Sequence, residues 1–302
     1  MEKGKLFEKH TPKRLNNATL LHSAETGSED WAFSRQFGIG GSEVSSILGL
    51  NSYKSAYTLW AEKTGLVIPD KVEGWAVRLG VELEEPILKM WAEDNPEYEV
   101  FLSGTYSWND ETFMQASPDA LARHRTSGEW IIIEAKTARY GWSGTPVGYR
   151  AQVFHYMTVL GIYRSVVIGI VGWDWFEEWI DYEGFEASAQ TLAITEFWKL
   201  VESKSRPQFD GSDSTYETVR KLHPDIDPEL HVEIDGLHLL GIAQENFDTA
   251  KETLLESKSS ILDMMGKAKS AYVEVDGEKI TVVTRQARGM AAPYLVMKKG
   301  KK

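Results

Sequence analysis

Residues 130–136 set a carboxylate and an amine near each other at the end of an apolar run, Trp130-Ile131-Ile132-Ile133-Glu134-Ala135-Lys136. Branched apolar residues favour a strand, and successive side chains of a strand point to opposite faces. Glu134 and Lys136 are therefore expected on one face with Ile132. A carboxylate can hold a divalent cation while a lysine orients the attacking water or neutralises charge on a phosphate. The pattern predicts metal-dependent hydrolysis of a phosphodiester.

Two more carboxylates and an amide complete this candidate site. Asp119 follows Ser117-Pro118, and the turn at residues 124–128 puts it on the strand that neighbours Glu134. Glu84 lies on a predicted helix over residues 73–94, and Gln152 lies on another over 149–161. Three carboxylates are hard oxygen ligands that favour Mg²⁺ or Mn²⁺ over zinc, and the Ala135 carbonyl can add a ligand.

Each of these residues taken singly also has an ordinary explanation. An aspartate after proline is commonly a turn residue, and Glu84 with Glu85 could be a pair of surface charges. A glutamate two residues before a lysine is usually a surface ion pair. The order and spacing of the group carry the prediction.

A glycine-rich stretch, Gly38-Ile39-Gly40-Gly41-Ser42-Glu43, precedes a short predicted helix. Glycine-rich loops that lead into a helix can bind phosphate through exposed amide groups. An ordinary turn followed by a serine helix cap explains the same residues.

The remaining pattern predicts an α+β protein with a mixed central sheet flanked by helices. A first helix begins at Ser28 and ends at Arg35. Further helices are expected over residues 55–64, 187–204 and 237–271, and strands over 99–106, 112–116, 165–172 and 175–182. Ser117-Pro118-Asp119-Ala120 interrupts the second of these strands, which resumes through Arg123. A final hairpin turns at Asp276-Gly277. We expect a loosely ordered arm over 1–27, an acidic loop over 205–235, and a disordered basic tail at Lys298, Lys299, Lys301 and Lys302.

Composition narrows the classes of function. The 302 residues contain no cysteine, which excludes disulfides, thiol catalysis and Cys-ligated zinc or iron–sulfur sites. No apolar run has the length of a membrane span, and the first residues lack the apolar segment of a secretory signal, so we expect a cytoplasmic protein. The net charge of -12 argues against nucleic-acid binding, but residues 207–256 carry 12 acidic against 3 basic residues, away from the candidate site.

The chain resembles the PD-(D/E)xK nuclease superfamily and, within it, the YqaJ-type viral recombinase family of phage lambda exonuclease. The resemblance spans residues 28–205. The matching residues are Trp31, Arg35, Gly38-Ile39-Gly40-Gly41-Ser42-Glu43, Leu59-Trp60, Lys63-Thr64-Gly65, Gly80, Leu83-Glu84, Ser117-Pro118-Asp119, Ile133-Glu134-Ala135-Lys136, Tyr149, Ala151-Gln152 and Tyr156-Met157.

The resemblance implies roles for these residues. Asp119 and Glu134 would be metal ligands, Glu84 would complete the metal site from the helix, Lys136 would be the catalytic lysine, and Gln152 would be a helper near the lysine or the nucleophile. Arg35 and Ser42 match positions that hold the 5′-terminal phosphate of DNA. The sequence departs from the family pattern at Glu84-Glu85-Pro86, where the spacing from Gly80 favours Glu84 and the proline neighbour favours Glu85. Ala120 stands where glycine is common after the aspartate.

The implied fold is a restriction-endonuclease-like core, residues 28–205, followed by an extension of helix and hairpin over 206–302. The implied activity is a Mg²⁺-dependent 5′→3′ exonuclease that degrades one strand of linear double-stranded DNA and leaves 3′ overhangs for a single-strand annealing protein. A homo-oligomeric ring with an acidic outside would reconcile the net charge with DNA binding. The implied setting is a bacterial cell, with a phage or prophage gene. The alternatives are an endonuclease or repair nickase of the same superfamily and a non-catalytic module that binds DNA ends.

Overall fold

The computed structural model describes residues 12–22, 33, 35–70 and 74–298. The chain divides into two compact units, Met1–Ile226 and Asp227–Lys302. In the first unit the elements are β1 (Arg14–Leu15), β2 (Ala18–His22), β3 (Ile39–Gly40), α1 (Gly41–Ile47), α2 (Ala56–Lys63), α3 (Trp75–Asp94), β4 (Tyr98–Leu102), β5 (Thr105–Trp108), β6 (Met114–Ala116), β7 (Ala120–His124), β8 (Trp130–Ala138), α4 (Val147–Leu160), β9 (Arg164–Val171), β10 (Asp174–Asp181), α5 (Gly184–Glu202) and α6 (Asp213–Leu222). None of the helices in these ranges is long and apolar enough to cross a membrane.

The central sheet has five strands in the order β10-β9-β8-β7-β4. Strands β8 and β9 run parallel, while the other neighbours in the sheet are antiparallel. A parallel pair needs a crossover, and α4 supplies it between β8 and β9. The predicted α+β class with a mixed sheet flanked by helices is confirmed.

Each face of the central sheet is covered by its own apolar core. On one face, Ile131, Ile133 and Ala135 of β8 pack in a cluster that includes Ile87 and Trp91 of α3. On the other face, Ile132 belongs to a cluster that includes side chains of α1, α2, α4 and α5. This is the alternation that the sequence of β8 predicts, so residues of even number on this strand face α4.

A second sheet, in the order β1-β2-β5-β6-β3, differs from the prediction in two places. The strand expected over 99–106 is divided at Ser103-Gly104 into β4 of the central sheet and β5 of the second sheet. Residues 14–22, predicted to be part of a loose arm, form β1 and β2. Strand β2 pairs with β5, and Leu15 and Ala18 are buried, so sheet hydrogen bonds and apolar contacts order this segment. Residues 1–11 and 23–27 of the arm, and residues 28–32 and 34 of the first predicted helix, lie outside the described ranges.

Helix α6 lies in the stretch of 205–235 that was predicted to be an acidic loop. Ser212 caps the helix by accepting a hydrogen bond from the Thr215 amide at 3.2 Å. Thr58 of α2 lies 2.7 Å from Thr218 and 2.8 Å from Ser214, both measured between hydroxyl oxygens. These hydroxyl contacts hold α6 to α2, and both helices lie in the compact unit that ends at Ile226. The domain boundary at residue 205 stays a prediction.

The second unit contains α7 (His238–Met265), β11 (Ser270–Val275), β12 (Glu278–Gln286) and β13 (Tyr294–Met297). The three strands form one antiparallel sheet. Asp276 and Gly277 both have positive φ, 51° and 82°, as the predicted two-residue hairpin turn requires. The pattern predicted the helix and the hairpin but not β13. Of the predicted basic tail only Lys298 is described; Lys299, Lys301 and Lys302 lie outside the described residues.

Candidate active site

Strand β8 positions the central pair of the site. Glu134 is buried, with a residue exposure of 1%, and its Oε1 accepts a hydrogen bond from the Lys136 ammonium. Lys136 is paired with Gly169 of β9. A Cβ atom on Gly169 would lie 1.8 Å from the Lys136 carbonyl oxygen, so only glycine fits there. The close approach of β8 to Gly169 was not predicted, because a glycine inside an apolar strand does not reveal which backbone lies next to it.

Asp119 sits where the chain passes from the second sheet to the central sheet. It follows β6 and precedes β7, whose Ala120 pairs with Ile133 of β8. The predicted adjacency of Asp119 and Glu134 is therefore present. The Asp119 Oδ2 accepts a hydrogen bond from the Ala135 amide at 2.7 Å, which fixes this carboxylate against β8.

Helix α4 supports Glu134 from behind. The Gln152 Nε2 donates to Glu134 Oε1 at 2.6 Å and to the Tyr156 hydroxyl at 3.0 Å. Glu134 Oε1 thus has two donors, while Glu134 Oε2 is buried and has no hydrogen-bond partner in the described part of the chain. An unpartnered buried carboxylate oxygen is costly. Gln152, predicted to be a helper near the lysine or the nucleophile, contacts the glutamate that Lys136 also contacts.

A cleft of about 230 Å³ opens beside these residues. Glu84, Asp119, Ala135 and Lys136 contribute to its walls. Glu85 points away from it and lines a different surface depression of α3, with Lys89 and Glu93. The two glutamates that the sequence left open are thus separated: Glu84 faces the cleft and Glu85 is exposed.

When they are ionised, the carboxylates at the cleft carry more negative charge than the Lys136 ammonium balances. Burial and the Asp119 charge raise the pKa of Glu84 to about 7, and the same two causes raise the pKa of Glu134 to about 8. Burial also raises the pKa of Asp119. Burial works against the Lys136 charge, but Glu134 and Asp119 outweigh it, so the pKa of Lys136 lies above its ordinary value. Lys136 is protonated at neutral pH and can act as a hydrogen-bond donor but not as a general base.

The residues of the cleft fit a hard divalent cation by their chemistry. Crowded carboxylates with raised pKa values lack a compensating charge, and Glu134 Oε2 and the Ala135 carbonyl are oxygen donors of the kind that Mg²⁺ takes. Within the described ranges no three His, Cys, Asp or Glu side chains already surround one point as a preformed cage would. The reason is that Glu134 turns towards Lys136 and Gln152, whereas Glu84 and Asp119 face the cleft.

Arg35 and Ser42 lie together at the start of α1. The Arg35 Nη2 donates to Ser42 Oγ at 2.9 Å and lies 3.1 Å from Glu43 Oε1. Lys63 donates to Glu43 at 2.9 Å and to the Gly38 carbonyl at 2.7 Å. Burial opposes the Glu43 charge, but Arg35 and Lys63 lower the pKa of Glu43 to about 2. Glu43 and Lys63 were named from the sequence only as residues that match the family motifs. In the structure they hold the glycine loop in place.

One tyrosine joins the glycine loop to the carboxylates. A Cβ atom on Gly41 would lie 2.4 Å from Cε1 of Tyr156, so the loop packs directly on that ring. The Tyr156 hydroxyl accepts from Gln152, which holds Glu134. The two predicted groups of site residues are thus connected through α4, although Arg35 and Ser42 do not line the cleft.

Comparisons with known proteins show which family model and which proteins this chain is similar to. Residues 30–163, which contain every predicted site residue, match the model of the YqaJ-like viral recombinase domain. The uncharacterized protein YqaJ of Bacillus subtilis (strain 168) is 28% identical over 271 residues, 86% of this chain and 82% of that protein. The alkaline exonuclease LHK-Exo of Laribacter hongkongensis is 17% identical, with a TM-score of 0.49 over 59% of this chain and 94% of its own. A phage-related exonuclease of Haemophilus somnus 129PT has a TM-score of 0.41 and 13% identity, over 55% of this chain and 96% of its own.

Proposed function

We propose, from the match of residues 30–163 to the YqaJ-like viral recombinase domain, that the protein is a Mg²⁺-dependent nuclease that degrades linear double-stranded DNA from its 5′ ends. The finer parts of this proposal are the 5′→3′ direction and the 3′ single strands left for an annealing protein. Mn²⁺ is the expected substitute metal. The proposal places the protein in the cytoplasm of a bacterium that carries the gene on a phage or prophage.

One observation carries the proposal. Two neighbouring strands bring Asp119 and Glu134 together, and Lys136 contacts Glu134 from two residues further along β8. Glu84 completes the group from α3, across the cleft. Carboxylates with unbalanced charge beside a protonated lysine are suited to a cation and a phosphate together, and a structural ion pair would not need Glu84 and Asp119.

The chain's own residues divide the chemistry between them. Asp119, Glu134, Glu84 and the Ala135 carbonyl would hold Mg²⁺, which when bound polarises the scissile phosphate and acidifies a nearby water. The Lys136 ammonium would donate hydrogen bonds to the attacking water or to a phosphate oxygen as negative charge develops. Gln152 donates to Glu134 Oε1, and Glu134 Oε2, which has no hydrogen-bond partner in the described part of the chain, would be free to hold the cation. Arg35 and Ser42 would hold the terminal 5′-phosphate, as their family positions imply.

We also propose a homo-oligomeric ring, with DNA inside and the acidic surface outside. Exposed apolar residues on α7 support assembly: Leu240, Phe247 and Leu254 recur every seven residues and are 69%, 63% and 45% exposed. A seven-residue apolar repeat is typical of a helix that packs against another helix. A protein that stays monomeric at micromolar concentration while degrading DNA processively would contradict the ring.

The nuclease proposal is tested with linear duplex DNA that carries or lacks a 5′-phosphate, in Mg²⁺ and in EDTA. We expect cleavage only in Mg²⁺ and a preference for the phosphorylated end. Lys136→Ala should lower the rate by about 100-fold or more, the usual effect of removing one group that stabilises developing charge. Lys89→Ala, which removes an exposed lysine of α3, is the matched control and should keep wild-type activity.

Closed circular duplex separates the remaining alternatives. An exonuclease spares the circle, whereas an endonuclease or nickase cuts it. Cleavage that survives EDTA or Lys136→Ala would contradict the proposed chemistry, and DNA binding without cleavage under all conditions would indicate an end-binding module. Loss of the 5′-phosphate preference in Arg35→Ala would support the role of Arg35 in binding the end.

A further inference from the structure

The turn between β9 and β10 presents a tryptophan to solvent in an unusual backbone conformation. Trp173 is 95% exposed and has a φ of 81°. Positive φ is sterically unfavourable for a residue with a bulky side chain, and hairpin turns of this kind take glycine or asparagine. A large apolar ring that neither packs nor suits its turn contributes nothing to the stability of the fold. Such a residue is typical of a binding function.

The hairpin places Trp173 at the end of the central sheet towards which β8 runs after Glu134 and Lys136. Strands β8 and β9 are parallel, with Lys136 opposite Gly169 and Ala138 opposite Val171. Trp173 therefore lies four residues beyond the position opposite Lys136, at most about 13 Å of chain at 3.3 Å per residue, because residues 172 and 173 form the turn. This upper limit corresponds to about four base-pair steps of 3.4 Å.

Backbone contacts fix the turn to the segment that follows β8. The Gly172 amide donates to the Ala138 carbonyl at 2.9 Å. A Cβ atom on Gly172 would lie 2.7 Å from the Gly141 amide nitrogen, so the two backbones touch. The tryptophan is thus held by a rigid support, and its position relative to Lys136 is set by the sheet.

Two neighbouring segments place further aromatic rings and one cation near Trp173. Arg139 lies over the ring of Tyr140, 5.4 Å from its centroid, and Tyr140 is 72% exposed. Trp175 is 39% exposed at the start of β10. Aromatic rings interleaved with a cation are the means by which proteins hold bases without reading their sequence.

We propose that Trp173 is a stacking platform for a nucleobase of the DNA substrate, a few nucleotides from the position of cleavage. The inference rests on the proposed function, because DNA must reach the cleft for the ring to meet a base. The chemistry recognised is the face of any base that is not already stacked on both sides, as at a strand end or in a separated strand. No sequence preference is expected from it.

The experiment measures binding of fluorescein-labelled linear duplex in EDTA by anisotropy, and cleavage in Mg²⁺. Trp173→Gly removes the ring and suits the positive φ, so the protein should melt at the same or a higher temperature. We expect binding to weaken about tenfold, within the range found when one stacking aromatic is removed. Trp173→Phe should restore most of the affinity, and Phe185→Ala, a 91% exposed aromatic at the start of α5, should leave it unchanged.

A substrate with abasic sites identifies the contact as stacking. Removing bases near the 5′ end should weaken binding to the wild type but have little further effect on Trp173→Gly. Equal affinity of wild type and Trp173→Gly, with wild-type cleavage intact, overturns the inference and leaves the nuclease proposal standing. A wild type that neither binds nor cleaves linear duplex overturns both. If Trp173→Gly loses self-association but keeps its affinity for DNA, the indole ring of Trp173 belongs to an interface between copies of the chain. That result would overturn the stacking role.

Discussion

At the residue scale, Glu84 and Glu85 provide a matched pair for testing the metal site. Glu84 faces the cleft and Glu85 lies on the outside of the same helix. Glu84→Gln keeps the shape but removes the charge of the proposed metal ligand, and we expect activity to fall by about 100-fold. Glu85→Gln should stay within about twofold of the wild type, as surface substitutions do. Steady-state cleavage rates at several Mg²⁺ concentrations distinguish the two, and equal losses would place the helix ligand elsewhere.

Glu43 gives a prediction about stability and pH. Its pKa is lowered from 4.5 to about 2 in the folded protein by Arg35 and Lys63, which outweigh burial. A carboxyl whose pKa is lower when folded stabilises the fold above its unfolded pKa, and the contribution is lost as the pH falls towards the folded value. We therefore expect the stability advantage of the wild type over Glu43→Gln to be full at pH 6.

Urea unfolding of both proteins between pH 6 and pH 2 measures this difference directly. The advantage of the wild type should shrink as the pH falls below 4.5, and titrations common to both proteins cancel. An advantage that stays constant down to pH 2 would mean that Glu43 is not the group that titrates.

The roles of single residues were predictable to different degrees. Alternation along β8 was enough to place Glu134 and Lys136 on one face, and the turn at residues 124–128 was enough to place Asp119 beside them. The choice of Glu84 over Glu85 needed the packing of α3 on the sheet, since both spacings were consistent with the sequence. The contact of Gln152 with Glu134 depends on how α4 crosses β8, which no local pattern encodes.

At the scale of elements, the packing of α1 on α4 is the contact most sensitive to a small change. A Cβ atom on Gly41 would lie 2.4 Å from the Tyr156 ring. We expect Gly41→Ala to displace Tyr156, weaken its hydrogen bond from Gln152 and cost about 1–3 kcal/mol of unfolding free energy, the usual effect of overpacking. Cleavage should fall as well, because Gln152 holds Glu134.

Gly211→Ala is the control for this substitution, because a Cβ atom there meets no neighbour within 4 Å. Thermal melting and cleavage rates of the two variants test the coupling. A Gly41→Ala protein that loses stability but keeps full activity would show that the glycine loop and the carboxylates are independent.

The helices and strands with a clear apolar period were predicted, and those held by other forces were not. Helix α6 is mostly polar: Val219 and Leu222 pack against the apolar core, and hydroxyl pairs such as Thr58 with Thr218 attach the helix to α2. Two apolar positions among polar ones gave no clear helical period. Strands β1 and β2 are short and depend on β5 for their hydrogen bonds. The break at Ser103-Gly104 separates two sheets, and a continuous run of strand-forming residues does not reveal it.

At the scale of the molecule, the compact unit that ends at Ile226 leads to a prediction about the stability of shortened chains. A chain that ends after Ile226 keeps α6 and should fold with a melting temperature near that of the first unit in the full protein. A chain that ends at residue 205 loses α6 and uncovers polar groups that α6 now contacts, including the buried Ser55 and the half-buried Thr58 of the α2 region. We expect it to melt earlier by several degrees, since about 1 kcal/mol shifts a domain of this size by about 2–4 °C. Equal melting of the two fragments would move the boundary back to residue 205.

The two separate cores of the central sheet have a consequence for how the protein fails. Glu84 is carried by the helix of one core and Gln152 by the helix of the other, and the proposed cleavage chemistry requires both to stay in register with β8. Loosening either side by heat or mutation misaligns the carboxylates before the sheet itself comes apart. The cleavage rate should therefore respond to loosening of the fold before the secondary structure does. We expect inactivation to begin at temperatures where the secondary structure is still complete.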